Sequence, residues 1–510
     1  MLNNLIKDKL NNWIKESLGR EDFVLAHPKL LEHGDYSVIV SDKSAKDDFE
    51  ILKSKKPDFI DKVDFIPPRF INLRLSKAFF KESLKEIIEK EENFGGTEIF
   101  KEQKVMVEHT QPNPFKKFHI GHLMNNVIGE AVARTVLANG AEVKTCSYHG
   151  DIGLHVAKAL WKGDYALGAK AYEEDPRAKS EIEDLNKKIY DKSDSEINAK
   201  YQEGRKKSLE EFEKIYQRLG SNFDYHFFES DTAEIGKKIV LDNAGRVFEE
   251  SEGAVVFKGS YTRVFVSSQG LPTYEAKELG LAKVKREKYN FDQSITVTGN
   301  EQDAFFNVVE EAIGKVFPEL KGKLSHLSHG MLRLPSGKMS SRTGEVITTE
   351  ELIEEVKGRV RGDEQVAVGA IKYMILRQTI GNDIIFDFEK SVSTEGDSGV
   401  YLQYAHARAN SVLQKSGVLT PSVNKMAQQL DILEIERLLY RFPEIVERAG
   451  QEYAPNYITT YLTELAASFN NFYAKEPIIG DSYRLAITSA FKIVMRNGLW
   501  ILGIPAPERL

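Results

Sequence analysis

A chain of 510 residues is too long for one ordinary domain and suits about two to four. With 41% hydrophobic and 29% charged residues it is not disordered, and no run of about 18 apolar residues offers a membrane span. The net charge of −7 neither announces nor excludes a nucleic-acid partner, because a local basic surface decides that. Cys146 is the only cysteine, so an intramolecular disulfide and a cysteine zinc site are excluded, and a reducing cytoplasmic location fits.

The N-terminal stretch MLNNLIKDKLNNWIKESL is amphipathic at helical spacing and carries Asp8 and Glu16. It predicts a folded helix rather than a targeting segment. Strand-like runs DYSVIVS and FIPPRFINLRL and a charged helix follow, and Gly-Gly in NFGGTE punctuates the end of a first domain, residues 1–95. From about 98, KVMVEHT reads as a strand, HLMNNVIGEAVARTVLANG as a helix ending at Gly140, and AEVKTCSYHGDIG as strand then loop. Strand, helix, strand at this length is a βαβ unit and predicts a parallel sheet. A charged stretch at 155–225 predicts an inserted helical subdomain, within an insertion of about 155–260. Its plainest reading is a solvated helical surface. ITVTGNEQD and LSHLSHGMLRLP resume the strands, closing a catalytic domain at 96–363. From 364 to 510 successive amphipathic helices predict a bundle. The expected fold class is α/β: a Rossmann-type parallel sheet with a helical insertion, a small α+β N-terminal domain and an all-α C-terminal bundle.

Residues 109–126, HTQPNPFKKFHIGHLMNN, join a strand to a helix. Ligands of open parallel sheets bind beyond the C-terminal strand ends, where helix N-termini offer free N–H groups to phosphate. His119 and His122 can donate hydrogen bonds to phosphate oxygens, Gly121 permits close approach, and Lys116 and Lys117 add cations. A lone HxGH is equally compatible with two structural histidines. SHGMLRLPSGKMSSRTGE, residues 328–345, is a Gly- and Ser-rich cationic loop with Lys338 and Arg342. Alone it reads as a surface loop; paired with HIGH it suggests a nucleotide site.

HIGH at 119–122 and KMSSR at 338–342 resemble the two signatures of class I aminoacyl-tRNA synthetases. VEHTQPNPFKKFHIGHL, YHGDIGLHVAK, LPTYEAKELGLA, GNEQD, EGDSGVYLQYAHARANSVL and NGLWILGIPAPERL resemble the arginyl-tRNA synthetases in particular, over about 105–510. Residues 1–95 are similar to that family's N-terminal domain in shortened form, through HGDYS and PRFINLRLS.

The resemblance implies an arginine–tRNA ligase. ATP and L-arginine would give arginyl-adenylate and pyrophosphate, and the arginyl group would pass to tRNA(Arg). It assigns ATP contacts to His119, Gly121, His122, Gly299, His329, Met331, Lys338 and Ser340, with Asn300 nearby. Catalytic roles fall on His119, His122, Lys338 and Lys116, the last standing in for the second lysine of the general KMSKS signature, which is Ser341 here. The arginine pocket maps onto Glu108, Asn113, His122, Tyr274, Glu278 and Gln302; the family more often has Asp where Glu278 stands. Carboxylates suit a guanidinium, a planar fork of five donors. Asp151 falls in a loop kept near the family's site. tRNA contacts map onto Asn72, in the D-loop-binding N-terminal domain, and onto Tyr401 and Arg408 of the anticodon-binding helices. Arg448, Tyr453, Tyr461 and Arg496 are further candidates for contacting unpaired bases. Mg²⁺ is expected to accompany ATP without a dedicated protein site. A cytoplasmic monomer with no membrane contact is expected. Rival readings are another HxGH nucleotidyltransferase and a non-catalytic paralogue.

Overall fold

A computed structural model describes residues 6–334, 347–418, 423 and 431–510. The chain forms two compact units, one of Met1–Ile99 with Ser393–Glu452 and Tyr457–Leu510, the other of Phe100–Val392 with Tyr453–Asn456.

The first unit opens with α1 (Ile6–Leu18), β1 (Val24–Ala26), β2 (Tyr36–Ile39), α2 (Ala45–Ser54), β3 (Ile60–Ile66), β4 (Phe70–Leu75) and α3 (Lys77–Lys90). The four strands pair antiparallel in the order β1-β2-β4-β3. Leu10, Tyr36, Val38, Ile71, Leu73 and Phe80 form its core, and Tyr440, distant in sequence, completes it.

The second unit is built on five parallel strands. They are β5 (Lys104–Glu108), β6 (Glu142–His149), β7 (Tyr225–Phe228) and, later in the chain, Gln293–Gly299 and Leu324–His329. β5 is buried at four consecutive residues, as a strand covered on both faces must be. α4 (Ile120–Ala138), apolar on almost every side, connects β5 to β6. Four helices are inserted between β6 and β7: α5 (Leu154–Lys162), α6 (Tyr165–Glu174), α7 (Pro176–Asp191) and α8 (Ser195–Leu219). They share a small core of Ile152, Val156, Ile182, Ile189 and Tyr201. α9 (Glu229–Asp242) then leads into a three-stranded antiparallel sheet, β8 (Glu249–Ser251), β9 (Ala254–Lys258) and β10 (Thr262–Val266). α10 (Tyr274–Lys288) returns the chain to β11 (Gln293–Gly299), followed by α11 (Asp303–Val316) and β12 (Leu324–His329).

The order of the large sheet is β12-β11-β5-β6-β7. The chain therefore winds outward from β5 to β7 and then restarts on the other side of β5. The switch point lies between β5 and β11, and the crevice beyond their carboxyl ends is where such sheets bind ligands. Glu108 ends β5 and Gly299 ends β11.

α12 (Thr349–Arg359), α13 (Glu364–Leu376) and the short α14 (Phe388–Ser391) also belong to this unit, with β13 (Leu332–Arg333) paired to β14 (Ile384–Ile385). Residues 364–392, read from the sequence as opening the bundle, are therefore grouped with the sheet: α13 is buried at eleven consecutive positions. The helices grouped with the first unit are α15 (Gly399–Ser416), α16 (Glu434–Leu439), α17 (Phe442–Gln451), α18 (Asn456–Lys475, apart from Asn456) and α19 (Ser482–Ile501). No helix among the described residues is long and apolar enough to cross a membrane.

α9 and α10 cross with their backbones touching. A Cβ on Gly236 would lie 1.8 Å from the Ala276 carbonyl oxygen, and one on Gly280 would lie 2.2 Å from that of Thr232. Gly236→Ala should therefore destabilise the unit by about 3 kcal/mol, since overpacking of a rigid crossing costs about 1–3 kcal/mol or more. Urea unfolding checks it. An unchanged midpoint would contradict the close crossing.

Candidate active site

The loop from β5 to α4 holds strained backbone. Thr110, Gln111 and Phe115 have φ of 78°, 45° and 68°. A β-branched residue such as Thr110 rarely adopts that region, and surrounding bonds must hold it there. The buried Thr110 hydroxyl is held by His109 Nδ1 at 2.7 Å and Asn126 Nδ2 at 3.1 Å. The Phe115 N–H donates to Ser208 Oγ of α8 at 3.0 Å, so the insertion braces the loop.

The two histidines of HIGH cap the helix. His119 is the N-cap of α4, and its Nδ1 accepts from the Gly121 N–H at 3.1 Å. His122 Nδ1 accepts in turn from the His119 N–H at 3.2 Å. The rings stack with centroids 3.8 Å apart. A Cβ at position 121 would meet the His119 ring at 2.9 Å, which is why glycine stands between them. Burial, helped by Lys116, holds His119 below the ordinary imidazole range; burial, with His119, Lys116 and His149, holds His122 well below it. Both rings are therefore neutral at physiological pH. With Nδ1 accepting, each must carry its proton on Nε2. The spacing thus yields two N–H donors at a helix N-terminus, an arrangement suited to phosphate.

Both rings line a cavity of about 690 Å³ at the switch point. It gathers Glu108, Asn113, His119, Gly121, His122, Tyr274, Glu278, Gly299, Gln302, His329 and Met331 from six separate stretches of sequence. Tyr274 is 57% exposed at the mouth. Glu229, Glu275 and Glu301 line the same cavity, against one lining cation among the described residues, Arg263, so its described wall is acidic. Burial first, then the charge of Glu108, pushes the Glu278 carboxyl well above the usual range. Behind Glu108, the buried Lys285 ammonium forms an ion pair with its Oε2, while Gln111 Nε2 donates to Oε1 at 3.1 Å.

Several sequence-read residues lie elsewhere. Lys116 does not line the cavity; its ammonium sits 4.7 Å from the centre of the Tyr165 ring. Lys117 is exposed. Lys338 and Ser340, with the rest of the KMSSR segment, fall outside the described residues. The described flanks of that segment reach the site: Leu332 lines the cavity, and the Ile347 carbonyl accepts from the Ile120 N–H at 3.1 Å. Asp151 is fully buried and accepts from Tyr201, Arg205 and both donors of Ser230, so it ties α8 and α9 to the loop after β6. Asn72 is buried within its sheet, 5% exposed. Asn470 links Tyr401 to Arg408: its amide donates to the Tyr401 hydroxyl at 2.9 Å, and its carbonyl accepts from the exposed Arg408 guanidinium at 2.5 Å. Of the further candidates, Tyr461 is a core residue whose hydroxyl donates to the Leu438 carbonyl, and Tyr453 donates to Gln293.

Residues missed by sequence reasoning include Gln111, Asn125, His155 and Glu229. Asn125 donates to Gln111 and bonds His329. Lys277 pairs with Glu229 at 2.6 Å, both buried. Gln111, Asn125 and His155 stand in quoted stretches but carry no residue-level signal there, Glu229 falls in none, and the pairings are visible only after folding.

Three buried histidines near the site make the unit acid-labile. Burial lowers His109 to about 4, His149 to about 3 and His155 to about 4. The unfolded chain takes up these protons below pH 6.5 while the folded one does not, so stability falls with pH through that window. Each should cost about 3 kcal/mol by pH 4. Near-UV circular dichroism should collapse between about pH 6 and 4. A signal intact at pH 4 would contradict the neutral, buried state of these rings.

Neutral imidazole donors at a helix mouth suit a nucleotide phosphate, and the acids lining the same cavity suit a cationic second substrate. On this sheet topology, that is the site of a class I aminoacyl-tRNA synthetase. The model of "tRNA synthetases class I (R), catalytic domain" matches residues 83–217 and 165–388, more than half of the chain, and the chain belongs to that family. The "DALR anticodon binding domain" matches residues 402–510. An arginine–tRNA ligase of Bacteroides thetaiotaomicron is 28% identical over 516 residues, covering 86% of each chain. One of Borrelia hermsii is 27% identical over 587 residues, covering 99% of each. The solved arginyl-tRNA synthetase of Thermus thermophilus shares the fold with a TM-score of 0.75 at 24% identity, and that of Plasmodium falciparum with 0.79 at 19%, each over 100% of both chains.

Proposed function

We propose that this chain ligates L-arginine to tRNA(Arg), using ATP. The arginine carboxylate attacks the α-phosphorus of ATP, pyrophosphate leaves, and the terminal ribose hydroxyl of the tRNA then takes the arginyl group with release of AMP. The observation that carries this reading is one cavity lined both by the neutral donors His119 and His122 and by the carboxylates Glu108, Glu229, Glu275 and Glu278. His119 and His122 donate Nε2–H to phosphate oxygens where charge develops, and fixed donors of this kind are the main source of such catalysis. Glu278 pairs with the guanidinium, Tyr274 covers the aliphatic stem, and Glu108, Asn113 and Gln302 fix the remaining polar groups. Gly299, His329 and Met331 border the nucleoside. The family resemblance places Lys338 and Ser340 on the nucleotide phosphates and supplies a catalytic role for Lys116. Mg²⁺ enters with ATP. Tyr401 and Arg408 lie at the start of the anticodon-binding helices and meet tRNA there; the family likeness gives Asn72 the same partner. The protein acts as a cytoplasmic monomer.

The test is ATP–pyrophosphate exchange with each of the twenty amino acids, with and without unfractionated tRNA. Exchange with arginine alone supports the reading. Exchange with another amino acid overturns the pocket assignment, and none at all from folded protein overturns the activity.

A further inference from the structure

We propose that Lys285 is a positioning residue that sets the charge of the arginine pocket: it neutralises Glu108 from behind and leaves Glu278 as the pocket carboxylate without its own cation among the described residues. This rests on the arginine reading above. Lys285 does not line the cavity. It stands on α10, seven residues beyond Glu278, and is 4% exposed. Its ammonium has two partners, Oε2 of Glu108 on β5 and Oγ of Ser294 on β11 at 3.3 Å. It therefore bridges the two strands at the switch point through the residue that ends one of them.

The charges facing this group come from four elements besides its own. They are Glu108 on β5 with His109 just beyond it, Cys146 and Tyr148 on β6, Glu229 opening α9 and His326 on β12, joined by Glu275 and Glu278 on α10 itself, with Ser294 of β11 uncharged. Glu229 already has Lys277 at 2.6 Å, and Glu275 has Arg263 at 3.6 Å. With Lys285 on Glu108, one carboxylate in the group, Glu278, has no cation of its own among the described residues. One missing positive charge is what a single guanidinium supplies. Two unscreened carboxylates in a buried site do not both stay ionised; they share a proton until a cation arrives. Without Lys285 the pocket would hold that proton to higher pH than the wild-type pocket does, and arginine would have to displace it there.

The experiment is arginine-dependent ATP–pyrophosphate exchange, with tRNA present, between pH 5.5 and 8.5, for the wild-type protein, K285M, K285R and E108Q/K285M. In K285M the KM for arginine should rise at least tenfold at pH 7 and fall again with pH, by up to tenfold per unit, as the shared proton is lost. The kcat should change much less. K285R keeps the cation and should keep the wild-type profile. E108Q/K285M removes one negative and one positive charge and restores the count, so its pH dependence should return to that of wild type while its KM stays raised by the lost Glu108 contact.

A K285M profile parallel to wild type, or a double variant that keeps the K285M pH dependence, would overturn the proposal and leave Lys285 as packing. Should K285M fail to fold, K285R and the double variant still decide: lost arginine affinity in K285R, or a pH dependence in the double variant unlike that of wild type, each from folded protein, overturns it. Wild-type protein inactive with arginine would overturn the proposed function and this inference together, whereas active wild type with unmoved variants overturns only the role of Lys285.

Discussion

Replacing His122 by asparagine should lower the rate of arginine activation by about 10²–10³-fold, because removing one fixed donor from a developing charge costs about that much. The choice of asparagine separates rate from fold. His122 Nδ1 accepts the His119 N–H at the start of α4, and an asparagine carbonyl reaches the same point. The cap, worth about 1 kcal/mol, is thereby kept. What asparagine lacks is the Nε2–H on the far side of the ring. Glutamine has the opposite character: its amide reaches towards the phosphate, but it caps poorly. His122→Asn should therefore match wild type in thermal unfolding and fail in exchange. His122→Gln should unfold earlier and retain more activity. The fall should be in kcat rather than in the KM for arginine, since the donor acts on the phosphate. A folded His122→Asn protein with the wild-type rate would show that HIGH is a structural cap and nothing more.

That double use explains why the opening stretch was so legible. HxGH is a local pattern: the N-cap and the third helical residue are three apart, and both the cap and the donors follow from one turn of backbone. The βαβ rhythm around it and the switch point could be read for the same reason, as could the acids on α10, Glu278 lying one turn beyond Tyr274. The partner of Glu108 could not. Lys285 lies 177 residues later, on a helix with basic residues at Lys283, Arg286 and Lys288, and nothing in its neighbourhood distinguishes the one that turns inward. Asp151 stood out in HGDIG, but its partners Tyr201, Arg205 and Ser230 come from the insertion and beyond. The grouping of residues 1–99 with the C-terminal helices was equally hidden, because Tyr440 joins a core otherwise drawn from the first 80 residues. Periodicity reports which face of a helix is apolar, and is silent on what covers it.

Glu278→Gln should raise the KM for arginine by about 10²–10³-fold and flatten its dependence on pH. Both effects come from one charge. The wild-type carboxyl is pushed well above its usual range by burial and by Glu108, so in the empty pocket it holds a proton to higher pH than an exposed glutamate would. A protonated carboxyl cannot pair with a guanidinium, which itself never titrates in this range. Wild-type affinity for arginine must then rise with pH through the raised value, and the KM must fall. Glutamine has nearly the same shape and no titration, so its KM should be high and level between pH 5.5 and 8. The size follows from truncating one partner of a buried, charge-assisted pair, which costs about 2–5 kcal/mol. The kcat at saturating arginine should move less than tenfold, because the guanidinium lies away from the reacting carboxylate. Measuring the KM for arginine across that pH range in both proteins decides it. Equal KM values would remove Glu278 from the pocket. A high KM with an unchanged pH profile would keep its contact but assign the titration to another carboxylate, of which Glu229 and Glu275 are the nearest on the same wall.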